Sequence, residues 1–284
     1  MIIDGVVVLY NPDLEVVENI KSYQSFLRKL FVIDNSTSYN EEVINKLKEY
    51  PNVVYKSLDG NKGIAKALKE GLELSIKDKV DYTLTMDQDS VFPNDKLDIV
   101  KTYLEKYSNE YAIIGLNFNS DSKEAKLVEE QFLLTSGNFI KNEDYRKISG
   151  FKEELFIDWV DFDLCEQFYS IGKKVGYINE VSLLHTMGNP ESHNLLGKKV
   201  TALNHPLIRY YYRYRNGLYL YKRNKKFFKK KYKHDIIIDR IKILLYEKNK
   251  HAKFKMIRRG RMDAKRNMTC GNLFLPQERS CQSR

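Results

Sequence analysis

The chain of 284 residues has a hydrophobic fraction of 42% and a formal net charge of +10, which fits one large α/β domain or a domain with a smaller appendage. Its three scattered cysteines exclude a disulfide framework, and no apolar run approaches the roughly 18 residues needed to span a bilayer. The opening residues lack the basic stretch of a signal peptide, so we expect a cytoplasmic protein.

The positive charge is concentrated in the C-terminal third of the chain. From His205 to the end there are 24 Lys and Arg residues against 5 Asp and Glu residues, and the preceding part is therefore acidic. A basic region of this kind attracts phosphate groups, which nucleic acids, anionic membranes and phosphorylated substrates all carry. Charge alone leaves these three kinds of partner open.

Predicted strands and helices alternate through the first 120 residues. Short apolar, β-branched runs predict strands at residues 6–10, 31–33, 53–55, 82–86 and 111–116. Helical spacing and helix-opening residues predict helices after Pro12, over 40–49, over 64–76 and after Pro93. This alternation predicts an α/β, Rossmann-like fold with a mostly parallel central sheet flanked by helices.

Beyond residue 120 the alternation weakens. A helix is predicted over residues 160–171, and short strands at 175–178 and 181–184. From Pro206 the spacing of apolar residues predicts a C-terminal extension of long amphipathic helices. Its two apolar stripes comprise Leu207, Tyr211, Tyr214, Leu218 and Tyr221, and then Ile237, Ile241, Leu244 and Leu245.

These patterns predict a division of the chain into a main domain over 1–204 with halves 1–120 and 121–204, a basic helical extension over 205–268, and a disordered tail over 269–284. In the extension, Phe227 and Phe228 lie within the basic run 225–233. Aromatic and basic residues together suit the headgroup region of a membrane. The alternative is a helix packed on the core through its tyrosines, with solvated lysines outside.

Three predicted strands end in polar clusters, namely Asp34-Asn35, Asp59-Gly60-Asn61 and Asp87-Gln88-Asp89. Ligands of open parallel sheets bind beyond the carboxyl ends of the strands, so we expect the three clusters to face one crevice. The carboxylates of Asp87 and Asp89 are hard oxygen ligands that suit Mg²⁺ or Mn²⁺ together with substrate phosphates. The alternative for this triplet is a solvated turn or a helix cap ahead of Pro93.

The other two clusters each have a binding and a structural interpretation. Asp34 is placed to accept hydrogen bonds from a nucleobase or ribose, or to cap the next helix with its neighbours. The turn at residues 60–63 precedes a helix with small residues at Gly63, Ala67 and Gly71. The N-terminus of that helix suits a diphosphate, although ordinary turn chemistry also explains these residues.

A second acidic group starts the next predicted helix and comprises Asp158, Asp161 and Asp163. Carboxylates there favour the helix dipole, and one of them is also a candidate general base for deprotonating a hydroxyl. His185 follows an apolar strand and is either a structural histidine or a further metal ligand. His193 and His205 lack such a setting and are interpreted as structural or surface residues.

In their order along the chain, these motifs resemble family 2 of the inverting GT-A glycosyltransferases, and within it the bacterial rhamnosyltransferases of O-antigen and capsule assembly. The matching segments extend from the first strand to about residue 220. They are VVLYNP at 7–12, VIDNS at 32–36, NKGIA at 61–65, MDQDS at 86–90, TSG at 135–137, FIDWVD at 156–161, HTMG at 185–188, and RYY at 209–211 with RN at 215–216. The resemblance implies a GT-A fold and transfer of a sugar from a nucleotide-sugar donor.

The resemblance also implies roles for individual residues. The donor-binding residues are Tyr10, Asn11, Asp34, Asn61, Lys62, Gly63, Asp87 and Gln88. Asp89 matches the direct ligand of a Mg²⁺ or Mn²⁺ cofactor, and His185 a second ligand of it. The acceptor-binding residues are Ser136, Gly137, Trp159 and Asp158. Asp161 matches the catalytic base.

Two positions depart from the family pattern. Gln167 stands where the family commonly has Arg, which puts a phosphate or scaffold contact in question, and Val160 stands where many members have Glu. By resemblance the donor is dTDP-rhamnose, with UDP-hexoses next. The acceptor is a saccharide or a lipid-linked saccharide at the inner face of the plasma membrane, and no nucleic-acid partner is expected.

Two other classes of protein remain as alternatives. A sugar-nucleotide nucleotidylyltransferase shares the sheet and the metal carboxylates, but it carries a Gly-rich basic loop where this chain has Asn11-Pro12-Asp13. A nucleic-acid-binding protein accounts for the basic extension and its aromatic residues. It does not account for acidic clusters at the ends of predicted strands.

Overall fold

The computed structural model describes residues 1–118, 124–185, 191–195, 198–202 and 204–266, and within 185–203 it describes backbone only. The strands are β1 (Ile3–Leu9), β2 (Leu30–Asp34), β3 (Val53–Ser57), β4 (Tyr82–Asp87), β5 (Ser90–Val91), β6 (Tyr111–Asn117), β7 (Leu127–Glu129), β8 (Asn138–Lys141), β9 (Lys174–Ser182), β10 (Leu184–His185), β11 (Glu191–Leu195) and β12 (Lys198–Ala202). The α-helices are α1 (Glu15–Lys21), α2 (Glu41–Lys48), α3 (Ile64–Ser75), α4 (Leu97–Tyr107), α5 (Asn142–Tyr145), α6 (Val160–Ser170), α7 (Leu207–Arg223), α8 (Lys225–Leu245) and α9 (Lys250–Lys265).

The chain forms two compact units. Unit 1 comprises Met1–Glu153 and Val160–Gly188, and unit 2 comprises Glu154–Trp159 and Asn189–Arg284. The predicted boundaries at residues 204 and 268 stay predictions. The predicted tail over 269–284 and the motif residues 186–188 lie outside the described residues.

Unit 1 contains an eight-stranded sheet in the order β3-β2-β1-β4-β8-β6-β9-β7. Strands β1 to β4 are mutually parallel, β9 is parallel to β6, and β7 and β8 run antiparallel to their neighbours. Every residue of β1 and β2 is buried, as expected for strands covered on both faces. The predicted α/β fold with a mostly parallel central sheet and flanking helices is confirmed.

The small residues of α3 bring this helix close to the sheet. Ala67 is fully buried, and a Cβ atom added at Gly71 would lie 2.3 Å from Cγ1 of Val6 in β1. No side chain larger than hydrogen fits at Gly71 without displacing β1 or the helix. Of the small residues noted in the sequence, Gly71 therefore serves helix–sheet packing.

The prediction of two short strands at 175–178 and 181–184 is wrong. Strand β9 continues from Lys174 to Ser182, because a register shift opposite the end of β6 accommodates the polar residues between the two apolar runs. Ile178 pairs with Leu116, and Ser182 pairs with Asn117. A bulge of this kind inserts residues into one strand without ending it, and the polar interruption alone suggests a turn.

Unit 2 contains the β11–β12 hairpin and the helices α7, α8 and α9. Its apolar cluster is built from Tyr210, Tyr214, Ile243 and Ile257. In α7 the predicted apolar stripe is largely correct, since Tyr211 and Tyr214 are each 1% exposed, although Leu207 is 40% exposed.

The predicted apolar stripe of α8 does not face the core of unit 2. Its residues are Ile237, Ile241, Leu244 and Leu245, and they are 57%, 39%, 56% and 52% exposed. The buried face is formed instead by Phe228, Tyr232 and Ile243. Helical spacing identifies which residues share a face, but it does not say which face a neighbouring element covers. No helix in the described part of the chain is long and apolar enough to cross a membrane.

Candidate active site

The carboxyl ends of four neighbouring parallel strands lie in register at one edge of the sheet. Asp34 of β2 pairs with Leu9 of β1 and with Ser57 of β3. Asp87 of β4 pairs with Val8 of β1. The polar clusters that follow β2, β3 and β4 therefore emerge side by side, as predicted from their positions after parallel strands.

Asp34 is fully buried, and both of its carboxylate oxygens have partners. Oδ1 accepts a hydrogen bond from the backbone N of Ser36 at 2.9 Å, and Oδ2 accepts one from the Tyr55 hydroxyl at 2.7 Å. Burial, reinforced by the bond to Asp34, raises the pKa of Tyr55, so this phenol stays protonated as a donor. The carboxylate is held in one orientation, and its contact with a nucleotide stays a prediction.

Asn35 links the end of β2 to the predicted donor turn. Its Nδ2 donates to Oδ1 of Asn61 at 3.1 Å, and its Oδ1 accepts a bond from the backbone N of Lys62 at 2.6 Å. Asn61 Oδ1 also accepts a bond from the backbone N of Gly63, whose φ of 90° places it in a region that favours glycine. These contacts fix the start of α3 beside β2.

Gln88 ties the acidic triplet to the end of β1. Its Oε1 accepts a bond from the backbone N of Tyr10 at 2.7 Å, and its Nε2 donates to the Tyr10 carbonyl at 3.3 Å. Asn11, with a φ of 45°, accepts two backbone hydrogen bonds from the turn after β2 through its Oδ1. The loop after β1 is thereby braced against both neighbouring strands, while the donor roles of these three residues stay predictions.

Ser136 connects the acidic triplet to the predicted acceptor segment. The backbone N of Asp87 donates to Ser136 Oγ at 2.9 Å, and Ser136 Oγ donates to Ser90 Oγ at 2.9 Å. Gly137, with a φ of 74°, donates its N–H to the carbonyl of Thr85 at 2.8 Å. Because Ser136 is only 1% exposed, its hydroxyl mainly holds the loop in place, and contact with an acceptor stays a prediction.

The predicted metal ligands lie next to a short strand pair. Asp87 and Asp89 are partly exposed after β4, and the antiparallel pairing of β5 with β10 puts the backbone of His185 opposite Ser90. The side chain of His185 lies outside the described residues. Among the described side chains, no three His, Cys, Asp or Glu residues are grouped to hold a metal ion. Two partly exposed carboxylates still fit Mg²⁺ or Mn²⁺, since these ions combine one or two carboxylates with phosphate and water oxygens.

Asp161 lies in the first turn of α6 and is partly exposed. It lines a small cavity together with Thr85 of β4, Thr135 and Cys165. Burial, with a smaller contribution from the charge of Asp161, raises the pKa of Cys165 to about 12, so its thiol is unreactive. The candidate base is thus brought beside the segment that contains Ser136.

Asp163 and Gln167 form a structural link one turn further along α6. Gln167 Nε2 donates to Asp163 Oδ2 at 2.7 Å and to the carbonyl of Gly150 at 3.0 Å. Asp163 is fully buried, and Lys152 lies 3.6 Å from its Oδ1. Where the family commonly has Arg, this chain therefore uses a neutral amide to tie the helix to the preceding turn.

Within unit 2, the segment 154–159 has an unusual backbone that α7 holds in place. Phe156, Asp158 and Trp159 have φ values of 62°, 64° and 68°, which are costly for residues other than glycine. Asn216 is fully buried and donates its side-chain N–H groups to three carbonyls of this segment at 2.7, 2.9 and 2.9 Å. Arg209 contacts both carboxylate oxygens of Asp158, at 2.7 and 3.3 Å.

The two acceptor-side residues of this segment are engaged within unit 2. Trp159 is 4% exposed, and its ring lies 6.2 Å from the ring of Phe228 and 6.4 Å from that of Tyr232. The carboxylate of Asp158 is paired with Arg209. Their contacts with an acceptor stay predictions.

Sequence patterns do not reveal the structural roles of three residues, Asn35, Asn216 and Arg209. The sequence places Asn35 in the polar cluster after the second strand, but it does not show that Asn35 holds the turn of Asn61 and Lys62. Asn216 and Arg209 belong to motifs that match the family pattern, but the residues next to them in sequence do not indicate their hydrogen-bond partners. Their partners lie 51 or more positions away, so only the folded chain identifies them.

The family model for glycosyl transferase family 2 matches residues 6–168 of this chain. That segment contains the strand-end clusters, the Ser136 link and Asp161. The chain belongs to glycosyl transferase family 2 and is a glycosyltransferase. This membership replaces the nucleotidylyltransferase and nucleic-acid-binding interpretations.

Individual relatives point the same way. The chain is 26% identical over 247 residues to the dTDP-rhamnosyl transferase RfbF of Shigella flexneri, covering 78% of this chain and 80% of that protein. Its fold is similar to that of S. aureus TarS 1–349 in complex with UDP-GlcNAc, with a TM-score of 0.55, 13% identity and coverage of 95% and 74% of the two chains. The GT-A fold and the resemblance to rhamnosyltransferases are confirmed.

A further solved relative contains a metal ion. GalNAc-T7 with UDP, GalNAc and Mn²⁺ is similar in fold at a TM-score of 0.55 and 12% identity, covering 75% of this chain and 47% of that chain. The chain spans only 36% of the length of a longer S. aureus TarS structure.

Proposed function

We propose that this glycosyltransferase moves rhamnose from dTDP-rhamnose, with inversion at the anomeric carbon, to a saccharide or lipid-linked saccharide acceptor in surface polysaccharide synthesis. The observation that supports it best is the shared sheet edge, where the ends of β2 and β4 and the Ser136 segment meet. The choice of donor rests on the similarity to RfbF, a dTDP-rhamnosyl transferase. UDP-sugars are the second donor class, since the TarS structure contains UDP-GlcNAc.

In this proposal the donor lies across the carboxyl ends of β1, β2 and β4. Asp34 accepts hydrogen bonds from the nucleoside, and the loop of Tyr10 and Asn11 lies against it. The turn of Asn61, Lys62 and Gly63 faces the diphosphate with the N-terminus of α3, a position that suits phosphate groups. The contacts of Asn35 and Gln88 support this arrangement, because they hold the turn and the loop rigid before any donor binds.

Asp89 is the proposed ligand of a divalent cation, with His185 as a further ligand and Asp87 directed at the ribose or the donor sugar. A bound Mg²⁺ or Mn²⁺ would supply electrostatic stabilisation of the departing diphosphate. The support is the chemistry of the donor set, two partly exposed carboxylates after a buried strand, and the Mn²⁺ present in the GalNAc-T7 structure.

Asp161 is the proposed general base. Its carboxylate accepts the proton of an acceptor hydroxyl while that oxygen bonds to the anomeric carbon and the bond from this carbon to the diphosphate oxygen breaks. A single displacement of this kind inverts the anomeric centre. The partial exposure of Asp161 and its position near Thr135 support the assignment, because the acceptor segment with Ser136 and Gly137 directly follows Thr135. We assign Asp158 and Trp159 to the acceptor side of the site. We place the reaction at the inner face of the plasma membrane.

A donor panel tests the proposal. Purified protein with Mn²⁺ is incubated with dTDP-rhamnose, dTDP-glucose, UDP-glucose and UDP-GlcNAc, and release of the nucleoside diphosphate is followed. We expect the fastest release from dTDP-rhamnose, with dTDP-glucose as the control that keeps the nucleotide and changes the sugar. Proton NMR of the first-formed sugar should show the opposite anomer. Preference for a UDP-sugar would contradict the choice of donor, and retention would contradict the single displacement.

A further inference from the structure

One face of α8 carries a continuous stripe that the described residues of unit 2 leave uncovered. The stripe comprises Lys226, Lys230, Lys233, Ile237, Ile241 and Leu244, and we call it the α8 stripe. Successive members are three or four residues apart, so they lie on the same side of the helix. The N-terminal half of the α8 stripe is cationic and the C-terminal half is aliphatic. This separation of charge and apolar surface sets α8 apart from a simple solvent-facing helix.

The aliphatic half is unusually exposed for a folded protein. Ile237 and Leu244 are 57% and 56% exposed, and Ile238 and Leu245 beside them are 37% and 52% exposed. Single exposed apolar residues are common, but a contiguous group of this size marks an interaction surface. The opposite face of α8 already packs in unit 2 through Phe228, so the exposed residues are not needed for its core.

The acidic residues of α8 lie away from the stripe and are neutralised within unit 2. Asp235 pairs with Lys231 at 2.9 Å, and Asp239 pairs with Arg213. No ion pair among the described residues involves the three lysines of the α8 stripe. The stripe therefore presents uncompensated positive charge next to its aliphatic half.

This combination identifies the partner by charge and polarity. Residues 205–266 contain 22 Lys and Arg residues against 4 Asp and Glu residues, so a second copy of the chain would bring like charges together. A nucleic acid would use the lysines but would leave five aliphatic side chains in water. An anionic lipid bilayer matches both halves, because it offers phosphates at its surface and hydrocarbon just beneath.

We propose that the α8 stripe docks the protein on an anionic bilayer. The aliphatic half enters the boundary between headgroups and acyl chains, and Lys226, Lys230 and Lys233 contact lipid phosphates. From Lys226 to Leu244 the helix rises about 27 Å, so α8 lies obliquely with its C-terminal end deeper. The attachment is peripheral, and it concerns a surface that the proposed sugar transfer does not use.

Vesicle co-sedimentation without donor or metal tests the proposal separately from the enzymatic reaction. The wild-type protein should bind phosphatidylcholine vesicles that contain phosphatidylglycerol, and bind pure phosphatidylcholine vesicles weakly. Replacing Lys226, Lys230 and Lys233 together by Gln should weaken binding to the anionic vesicles by roughly 100-fold at low salt, since each lysine near the surface contributes about a factor of 5. The matched control replaces Lys77, Lys79 and Lys106 of unit 1 together by Gln, and all three lysines are exposed. This control should bind anionic vesicles like the wild type.

The aliphatic half has its own variants. Replacing Ile237, Ile241 and Leu244 together by Gln should lower binding at least tenfold and leave the thermal unfolding midpoint unchanged. The control variant replaces Ile2, Leu14 and Ile171 of unit 1 together by Gln, and these residues are 46%, 40% and 37% exposed. It should bind anionic vesicles like the wild type. A Leu244→Trp variant should shift its fluorescence to the blue when anionic vesicles are added, and a Leu14→Trp variant should not.

Several outcomes would overturn the proposal. One is a wild-type protein that does not sediment with anionic vesicles. Another is equal loss of binding in the stripe and control triples. If the aliphatic triple abolished a dimer seen by sedimentation equilibrium and left vesicle binding intact, the stripe would be a contact between copies of the chain. If gel shifts responded to the lysine triple while vesicle binding did not, the partner would be a nucleic acid.

Discussion

Asp161 and Asp163 lie two residues apart in α6 but occupy different surroundings. Asp163 is fully buried and accepts a hydrogen bond from Gln167. Asp161 is partly exposed and lines a cavity with Thr135. A general base has to reach the proton that it removes, and of these two carboxylates only that of Asp161 is accessible to solvent. Their place at a helix start does not separate the two acidic residues; the resemblance to the family singles out Asp161, and burial separates them as well.

We predict that Asp161→Asn lowers turnover by about 10²–10⁴-fold, the usual contribution of a positioned base. Donor affinity should stay near the wild-type value, because the amide keeps the size of the side chain and Asp161 has no part in the proposed donor contacts. Turnover is measured as nucleoside diphosphate release, and donor affinity by calorimetry. Asp95→Asn, at an exposed carboxylate, serves as the control. Wild-type turnover in Asp161→Asn would show that the base is another residue.

At the scale of elements, the packing of α3 on β1 fixes the turn of Asn61–Gly63 relative to the sheet edge. The contact is close because Gly71 faces Val6 without a side chain of its own. The helix would otherwise gain from alanine at this position, by up to about 1 kcal/mol in helix propensity. The close approach of α3 to β1 outweighs this gain, because the methyl group of an alanine at position 71 has no space beside Val6.

Gly71→Ala should therefore lower the free energy of unfolding by about 1–3 kcal/mol, the usual cost of overpacking a core. Urea denaturation measures this change. The double variant Gly71→Ala with Val6→Ala should recover part of it, since the added methyl group then occupies the space that the valine leaves. The single variant Val6→Ala completes the comparison. If the double variant lost as much free energy of unfolding as the two single variants together, the helix and β1 would not meet at this point.

The elements also show where sequence patterns stop being informative. Parallel order follows from alternating strands and helices, and it correctly predicted that the clusters after β2 and β4 share one edge. The continuity of β9 was missed because a bulge looks like a turn in sequence. The exposed face of α8 was missed because periodicity is the same for a covered and an uncovered stripe. The packing of Trp159 on Phe228 depends on residues 69 positions apart, beyond any local pattern.

At the scale of the whole molecule, charge and stability are linked through the basic unit 2. His205 lies in a cavity with Arg209, Arg213 and Glu247. Burial, followed by the charge of Arg209, lowers the pKa of His205 to about 4 from its ordinary 6.5. Arg209 also lies 3.4 Å from Nδ1 of this imidazole, a distance suited to the neutral ring accepting a bond. The folded protein therefore favours the neutral form of His205.

This setting predicts a pH dependence of stability. The unfolded chain takes up a proton on His205 near pH 6.5 while the folded protein resists it until about pH 4, so stability is complete above pH 6.5 and falls as the pH decreases between these values. The loss attributable to His205 should be about 2 kcal/mol, allowing for its partial exposure. The test compares urea denaturation of wild type and His205→Asn across this range, because carboxylates titrate equally in both. Parallel curves for the two proteins would contradict the prediction.

In the proposed site, the carboxyl edge of the sheet holds a nucleoside diphosphate with a divalent cation at Asp89. Calorimetric titration of dTDP, with and without Mn²⁺, tests it on the wild type, Asp89→Asn, Asp161→Asn and Asp95→Asn. We expect Mn²⁺-dependent binding that is lost in Asp89→Asn and retained in the other two variants. Binding of equal strength without Mn²⁺, or undiminished binding in Asp89→Asn, would contradict the assignment of the site.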